Sequence, residues 1–466
     1  MTKKIYCLFA LFFFSSCISL NPINQRLHKK NLHEFIYSLI EKKEISGSLG
    51  IKVVSLVDGR TLFAHNDGRL MTPASNIKLF TSAASLHYMK KEHVFETAIL
   101  KQKNNIILIG GGDPELSLQV IDSLAYLVSK EIERIDTLFI DGGLFDNFHF
   151  GKGWMWDEGS EKYSAPISAL SVNNNCIDFE YSPNELGLPA KVKIYPNTKF
   201  VKIINNSMTV NDTVNFKKLK INRDWVGRTN DYLITGEILK WSGKDTVKKN
   251  IEKPNLFAGT VFRESLESHG LSVNKLQLGK TIESKDTILV HQSRPLYILL
   301  ENMMHDSKNL TSELLLKYMG ITDSSVGNWE SGIKKVKTYL FEEINIDTSA
   351  LRIADGSGLS RYNLLTASQI VKLLTHIHGR EDRDLFLNTL PYGNEKDTRL
   401  EGRLIEVQNK IYAKTGSLSG VSCLSGYALS PSKGPMAFSI LINGFVGSIR
   451  PHRKFQDEIC NWLVTN

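Results

Sequence analysis

Apolar residues recur along this chain with two periods, and the changes between them mark its elements. From Leu32 to Glu44 they stand at Phe35, Ile36, Leu39 and Ile40, the spacing of one helix face, which predicts an amphipathic helix lying on a sheet. Ser48 to Val57 and Arg60 to Ala64 are strand-like and flank Asp58-Gly59, a dipeptide that allows a tight hairpin turn. Met71 to Leu86 then reads as a helix with little polar surface. Pro73 suits its first turn, where the missing N–H would be unpaired anyway, and Ala74, Ile77, Leu79, Phe80, Ala83, Ala84 and Leu86 follow. Such a helix belongs in a core.

From about Phe95 to about Val290 the texture changes to short β-like runs, among them Asn105 to Ile109, Thr137 to Ile140, Lys191 to Tyr195 and Val201 to Asn205. Asn, Asp, Gly and Lys clusters separate them, which predicts a β-rich insertion of one or two domains. Ile109-Gly-Gly-Gly-Asp-Pro-Glu115 lacks the Gly-Lys-Ser/Thr of a phosphate loop and no helix pattern opens there, so it reads as a turn. Helical spacing returns over Pro295–His305, Leu310–Met319, Gly332–Glu343 and Ala367–His376. Asn409–Ala413, Val421–Leu429 and Met436–Asn443 read as strands, and Phe455, Ile459 and Trp462 mark a closing helix. The implied fold class is α+β: residues 21–94 and 291–466 form one split domain in which the first hairpin and the last strands share an antiparallel sheet beside a helical layer, and 95–290 is inserted.

Composition bounds the rest. At 466 residues, 42% hydrophobic and 23% charged, the chain has the profile of a soluble globular protein of two or three domains. The net charge is +8, of which Lys3 and Lys4 contribute two charges that would leave with an export signal; the balance favours anionic partners weakly. Nucleic acid is not the expected partner, because the chain has no basic run with interleaved aromatics, zinc-ligand spacing or helix-turn-helix pattern. Lys3-Lys4 followed by the apolar run Ile5 to Phe14 fits an export signal over residues 1–20 and a periplasmic location. Phe14-Ser-Ser-Cys17 resembles a lipobox, so a membrane tether through Cys17 stands beside a freely soluble form. Of five cysteines, Cys176, Cys423 and Cys460 lie beyond that signal. Three widely spaced thiols give no disulfide framework and no metal cluster; one pair plus a free thiol, or three buried thiols, are expected. No metal or organic cofactor is implied.

The chemistry centres on Ser75 and Lys78. An i, i+3 spacing stacks the hydroxyl and the ammonium on one helix face, and apolar neighbours strip the amine of hydration and lower its pKa toward that of a useful base. Ser-x-x-Lys alone is weak, since a chain of this size holds on the order of a few by chance, Ser331-Gly-Ile-Lys334 among them. Lys414-Thr-Gly416 is rarer. At a strand edge a lysine and a hydroxyl side by side can hold a carboxylate, while Gly416 lets another backbone approach. Ser307-Lys-Asn309 lies between two predicted helices, and residues two apart can address one ligand only from a turn. Ser171-Val-Asn173 and Ser272-Val-Asn274 share its letters but not its context.

Ser75-x-x-Lys78, Ser307-x-Asn309 and Lys414-Thr-Gly416, in that order, resemble the three signatures of the serine penicillin-recognising enzymes. Thr-Pro-Ala-Ser-Asn-Ile-Lys-Leu-Phe-Thr, Gly-Gly-Gly-Asp-Pro-Glu-Leu, Ser-Ala-Pro-Ile-Ser-Ala-Leu-Ser-Val-Asn, Asp355-Gly-Ser-Gly-Leu-Ser-Arg361 and Ala413-Lys-Thr-Gly-Ser narrow the resemblance to the three-domain D-alanyl-D-alanine carboxypeptidase/endopeptidases, the class C low-molecular-mass penicillin-binding proteins. The resemblance runs from about Glu34 to the C-terminus. It implies a penicillin-binding-protein/β-lactamase-like transpeptidase domain, peptidoglycan stem peptides as substrates and β-lactams as mimics that acylate Ser75.

By that resemblance Ser75 is the nucleophile and Lys78 its base, with Lys414 as a second cation that helps keep Lys78 neutral. Ser307 relays a proton to the leaving amine, Asn309 holds Lys78 or the substrate amide, and Lys414 with Thr415 binds the terminal carboxylate. The backbone N–H groups of Ser75 and Ser417 form the oxyanion hole. Arg361, Asp157 and Tyr163 fall where the family places a side pocket for the free amino-acid end of the stem peptide, and an ion-pair role for Arg361 stays open. Two rivals remain: a serine β-lactamase sharing the signatures, against which the long insertion speaks, and a catalytically silent cell-wall binding protein, against which the full set of reactive side chains speaks.

Overall fold

A computed structural model describes residues 31–43, 45–279, 286–322 and 326–466. The export-signal and Cys17 readings concern residues outside these. The two ends of the chain meet in one five-stranded sheet. Its strands run Ile411–Leu418, Val421–Ser430, Gly434–Asn443, Ser48–Ser55 and Thr61–His65, each antiparallel to the next. The hairpin turns at Gly59 with φ +73°, as the Asp-Gly pair demands.

Side chains alternate across this sheet with the period of a strand. Along Val421–Ser430, Cys423 and Tyr427 face one core and Leu424 and Ala428 the other. The first core is filled by the helices Ile77–Met89, Leu296–Asp306, Asn309–Met319, Trp329–Glu342 and Ala367–His378. The second is covered by Leu32–Lys43 and Arg450–Thr465. Ile36, Ile459 and Leu463 are fully buried there, and Asn31 and Glu34 cap the first helix reciprocally at 3.2 and 3.0 Å. Three layers result, helices on sheet on helices, with Ile411–Leu418 at the sheet edge.

The segment 95–290 is β-rich but not β alone. Its main sheet runs Val273–Leu278, Ile135–Asp141, Asn105–Ile109, Glu96–Gln102 and Asp286–Gln292, and the first three are parallel. Parallel neighbours need crossovers, supplied by two helices absent from the sequence reading, Leu118–Glu131 and Pro254–Ser268. Their signals are present: Ile121, Leu124, Ala125 and Val128 are buried at helical spacing behind a Ser117 cap, and Pro254 opens the second helix at its first turn. Glu96 pairs with Gln292, so the chain enters and leaves this segment side by side. A second sheet, Asp245–Asn250, Cys176–Ser182 and Lys191–Tyr195, and a third, Lys220–Arg223, Asp231–Thr235 and Lys202–Asn205, add to its core. Phe145, Ala165, Ile167 and Ala169 pack on Leu310 and Leu314 of the helical layer. Cys176, Cys423 and Cys460 are free and buried. Among the described residues no helix is long and apolar enough to cross a membrane.

Candidate active site

Ser75 sits on a single 3-10 turn, Ala74–Asn76, that leads into the helix Ile77–Met89. The preceding Ala74 is left-handed, φ 47°, a conformation costing an L-residue roughly 1–2 kcal/mol, so the turn must be held from outside. Two glycines do this. Gly358, φ +84°, lies directly against the Ala74 carbonyl. Gly416 lies against the Pro73 carbonyl, where a Cβ would stand 2.7 Å from the oxygen. The close approach expected of Gly416 is thus an approach to the nucleophile's own turn.

Lys78, one helical turn on, is fully buried. Its Nζ donates to Ser75 Oγ at 3.1 Å, Asn309 Oδ1 at 2.7 Å and the Ser357 carbonyl at 2.7 Å. Asn309 Nδ2 donates to the Tyr163 carbonyl at 2.9 Å, so its amide links Lys78 to the inserted segment. Ser307, left-handed at φ 59° in the turn between two helices, accepts from Lys414 Nζ at 3.0 Å, and Lys414 also donates to the Thr415 carbonyl at 3.1 Å. Lys414 is fully buried. It faces Ser307 rather than the open cleft, whose wall at this point is Thr415 and Ser417.

Burial brings the Lys78 pKa down to about 7; Glu313 and Asp355 push it back up and Arg399 lowers it. Burial also drives Lys414 well below its ordinary value, with Lys78 and then Arg399 adding to the effect. Two carboxylates stand behind Lys78, Lys78 bears on Lys414, and Arg399, unforeseen in the sequence, lowers both amines further.

The carboxylates occupy a buried second tier. Glu313 accepts from Ser357 N at 2.8 Å, Gly356 N at 3.0 Å and Trp329 Nε1 at 2.8 Å. Burial first, then Asp355, raises its pKa to about 7. Asp355 accepts from Gly358 N at 2.9 Å, Asn363 Nδ2 at 2.7 Å and, from the inserted segment, Trp154 Nε1 at 3.0 Å. Together they fix the 355–360 loop that carries both the Ser357 carbonyl and Gly358.

In front of Ser75 lies a cleft of about 600 Å³. Arg361 lines it and donates to the Ser419 carbonyl at 3.0 Å; the described residues give it no ion pair. Tyr163 lines it too, but its carboxylate partner is Glu158, at 2.7 Å. Asp157 is not part of the wall. The Trp156–Glu158 turn ends at Gly159, φ +62°, and presents its last residue to the cleft. Arg399 and Arg453 complete a strongly cationic rim, with Arg453 Nη2 donating to Ser417 Oγ at 3.4 Å.

The model of the D-Ala-D-Ala carboxypeptidase 3 (S13) family matches residues 32–465. The chain belongs to that family. It is 31% identical over 443 residues to a D-alanyl-D-alanine carboxypeptidase of Actinomadura sp. (strain R39), covering 89% of this chain and 81% of the relative. Penicillin binding protein 4 (dacB) from Haemophilus influenzae has a similar fold, with a TM-score of 0.82 at 24% identity over 92% of this chain and 99% of that one. The same protein complexed with a novel β-lactam gives a TM-score of 0.75 at 23% identity, with the same coverage. Membership in the S13 family makes the chain a serine-type D-Ala-D-Ala carboxypeptidase, a hydrolase acting on peptidoglycan stem peptides. Of the features described above, the sequence reading gave no role to Glu158, Glu313, Arg399, Arg453 and Trp154, and it named Asp355 only as the first residue of the word that ends at Arg361. Glu313 carried a local signal, an acid beside the apolar run Leu314 to Leu316.

Proposed function

We propose that the enzyme opens the D-Ala-D-Ala bond of stem peptides, and peptide cross-links ending in D-alanine, through an acyl-enzyme on Ser75. The observation that carries this reading is the convergence of three distant segments: Lys78 Nζ within 3.1 Å of Ser75 Oγ, and Lys414 Nζ within 3.0 Å of Ser307 Oγ. Lys78, neutral in part at pH 7, takes the Ser75 proton as Oγ attacks the carbonyl. The N–H groups of Ser75 and Ser417 receive the oxyanion. Ser307 gives its proton to the departing amine and is reprotonated through Lys414 or Lys78, and water then releases the acyl group.

Pro391–Gly393 pairs with the outer edge of Ile411–Leu418 at Ile411 to Ala413, and among the described residues no strand covers the rest of that edge, Lys414 to Leu418, so the donor peptide adds there as an extra strand. Thr415, Ser417, Arg399 and Arg453 receive its terminal carboxylate, while Arg361, Tyr163 and Glu158 address the free end of its third residue. The catalytic domain comprises 21–94 and 291–466 and holds 95–290 as an insertion, a division supported by the shared sheet and by the pairing of Glu96 with Gln292. Lys3-Lys4 and the apolar run after them favour export to the periplasm, with Cys17 the candidate lipid site. β-Lactams acylate Ser75 as substrate mimics. A fluorescent penicillin labels the wild-type protein and fails to label Ser75→Ala, which melts as the wild type does. Labelling that persists in Ser75→Ala ends this reading.

A further inference from the structure

Proton transfer needs the Ser307 hydroxyl in one place, yet Ser307 is left-handed, φ 59°, a conformation that L side chains avoid. Its turn must therefore be held from outside. On the cleft side Lys414 Nζ donates to Ser307 Oγ at 3.0 Å, and Asn309 is fixed by Lys78 and by the Tyr163 carbonyl. Lys308 stands between them and points elsewhere. Ser307 and Asn309 line the Ser75 cleft and Lys308 does not. Its side chain runs to the joint with the inserted segment, where Nζ donates to Glu115 Oε1 at 3.0 Å, with the exposed Asp306 carboxylate farther off at 3.6 Å.

Glu115 ends the word Ile109-Gly-Gly-Gly-Asp-Pro-Glu115, which the sequence presents only as a turn. A turn does close at Pro114 and Glu115, and its surroundings aim the carboxylate. Gly111 lies so close to the Glu96 carbonyl that a Cβ would overlap it, and Gly112, φ +81°, donates to the Ala169 carbonyl at 2.9 Å. Asp113 is buried; it accepts from Glu115 N at 2.8 Å and lies 3.4 Å from His291 Nε2. The Glu115 side chain is only 14% exposed and gathers three partners: Lys308, Asn302 Nδ2 at 3.2 Å and Arg294. Asn302 belongs to the helix Leu296–Asp306, which ends at Ser307, and Lys308 is the next residue on. One carboxylate of the insertion thus spans the Ser307 turn like a staple.

We propose that Glu115 is a positioning residue for the proton step: by joining Asn302 to Lys308 across the turn, it keeps the Ser307 hydroxyl where the departing amine can receive its proton. Glu115 lines no part of the Ser75 cleft and exchanges no proton itself. The role rests on the function proposed above, in which Ser307 protonates the amine nitrogen as its bond to the acyl carbon breaks. In a penicillin the ring nitrogen is that amine.

Glu115→Gln keeps the side chain's size and removes its charge. Stopped-flow penicillin acylation separates the dissociation constant of the first complex from the rate constant of bond formation, and D-alanine release from a pentapeptide is followed beside it. Glu115→Gln lowers the rate constant about tenfold, as a small displacement of a reacting group does, while the dissociation constant stays within about twofold. Lys308→Met shows a similar loss. Glu115→Gln/Lys308→Met acylates no more slowly than the poorer single variant, because both changes break one contact. In a Ser307→Ala background, where no hydroxyl is left to place, Glu115→Gln has no further effect on the rate constant. A carboxylate that merely stabilised the fold would lower the melting temperature and leave that pattern out. Acylation at the wild-type rate in Glu115→Gln and Lys308→Met overturns the proposal, as does a loss in Ser307→Ala as large as in wild type. If Glu115→Gln does not fold, Lys308→Met carries the test, since it leaves Glu115 with Arg294 and Asn302. A wild-type enzyme that takes up penicillin but releases no D-alanine removes the proposed function, and this role with it.

Discussion

At the scale of single residues, the site is governed by what burial does to two amines. Lys78 works as a base only when neutral. With its pKa near 7, the rate constant of penicillin acylation rises about tenfold per pH unit below that value and flattens above it. Glu313 is the positioning residue behind this. It touches no substrate, but it accepts from the Gly356 and Ser357 amides of the loop whose Ser357 carbonyl accepts from Lys78, and as it ionises, around its own pKa of about 7, its negative charge favours the protonated lysine. Glu313→Gln removes that charge while keeping the shape, so the midpoint of the acylation profile moves to lower pH. Stopped-flow acylation from about pH 5 to about pH 9, a range that brackets the titration of a base with this pKa, measures the shift. If Glu313→Gln lowers the melting temperature and leaves the midpoint in place, Glu313 is an anchor of the loop and does not set the base.

At the scale of elements, one helix and one loop carry most of the organisation. Asn309, Glu313 and Lys317 follow one another at i, i+4 along one face of Asn309–Met319. The first reaches Lys78, the second the 355–360 loop, the third the inserted segment. The loop answers through Gly358, pressed on the Ala74 carbonyl. Gly358→Ala puts a Cβ into that carbonyl at a φ that L-residues avoid, which costs about 3 kcal/mol and displaces the Ser75 turn. Urea denaturation reads the stability and penicillin acylation reads the turn; a variant that acylates at the wild-type rate refutes the clamp. This scale also explains what could be read from the letters. Ser75, Lys78, Ser307, Asn309 and Lys414 form short words whose chemistry depends on local spacing, and the structure does bring them together. Arg399 and Asp355 act through space, from segments whose proximity to Lys78 is decided only by folding. Asp157 is expected at the cleft by residue type, but the Trp156–Glu158 turn presents its neighbour Glu158 there instead. The helices at Leu118 and Pro254 had legible periods, but short β-like runs on either side masked them.

At the scale of the whole molecule, the insertion is part of the active site. Tyr163 holds Asn309, Trp154 holds Asp355, and Phe145 and Ile167 cover Leu310 and Leu314. The most exacting joint is Lys317. It is fully buried yet charged, its Nζ donates to Asp146 at 2.6 Å and to the Phe148 carbonyl at 2.7 Å, and it stands 3.9 Å above the Trp329 ring. Burying a lone ammonium is costly and burying a paired one far less so. Asp146→Ala therefore strands the ammonium and lowers stability by about 3 kcal/mol, seen as an earlier denaturant midpoint and as slower penicillin acylation, because the same helix carries Asn309. Lys317→Met fills the space without a charge, so adding it to Asp146→Ala recovers most of the loss. A double variant as unstable as Asp146→Ala alone would mean that the joint depends on the carboxylate's own contacts, and that the insertion is held to the catalytic helices by the apolar packing of Phe145 and Ile167 instead.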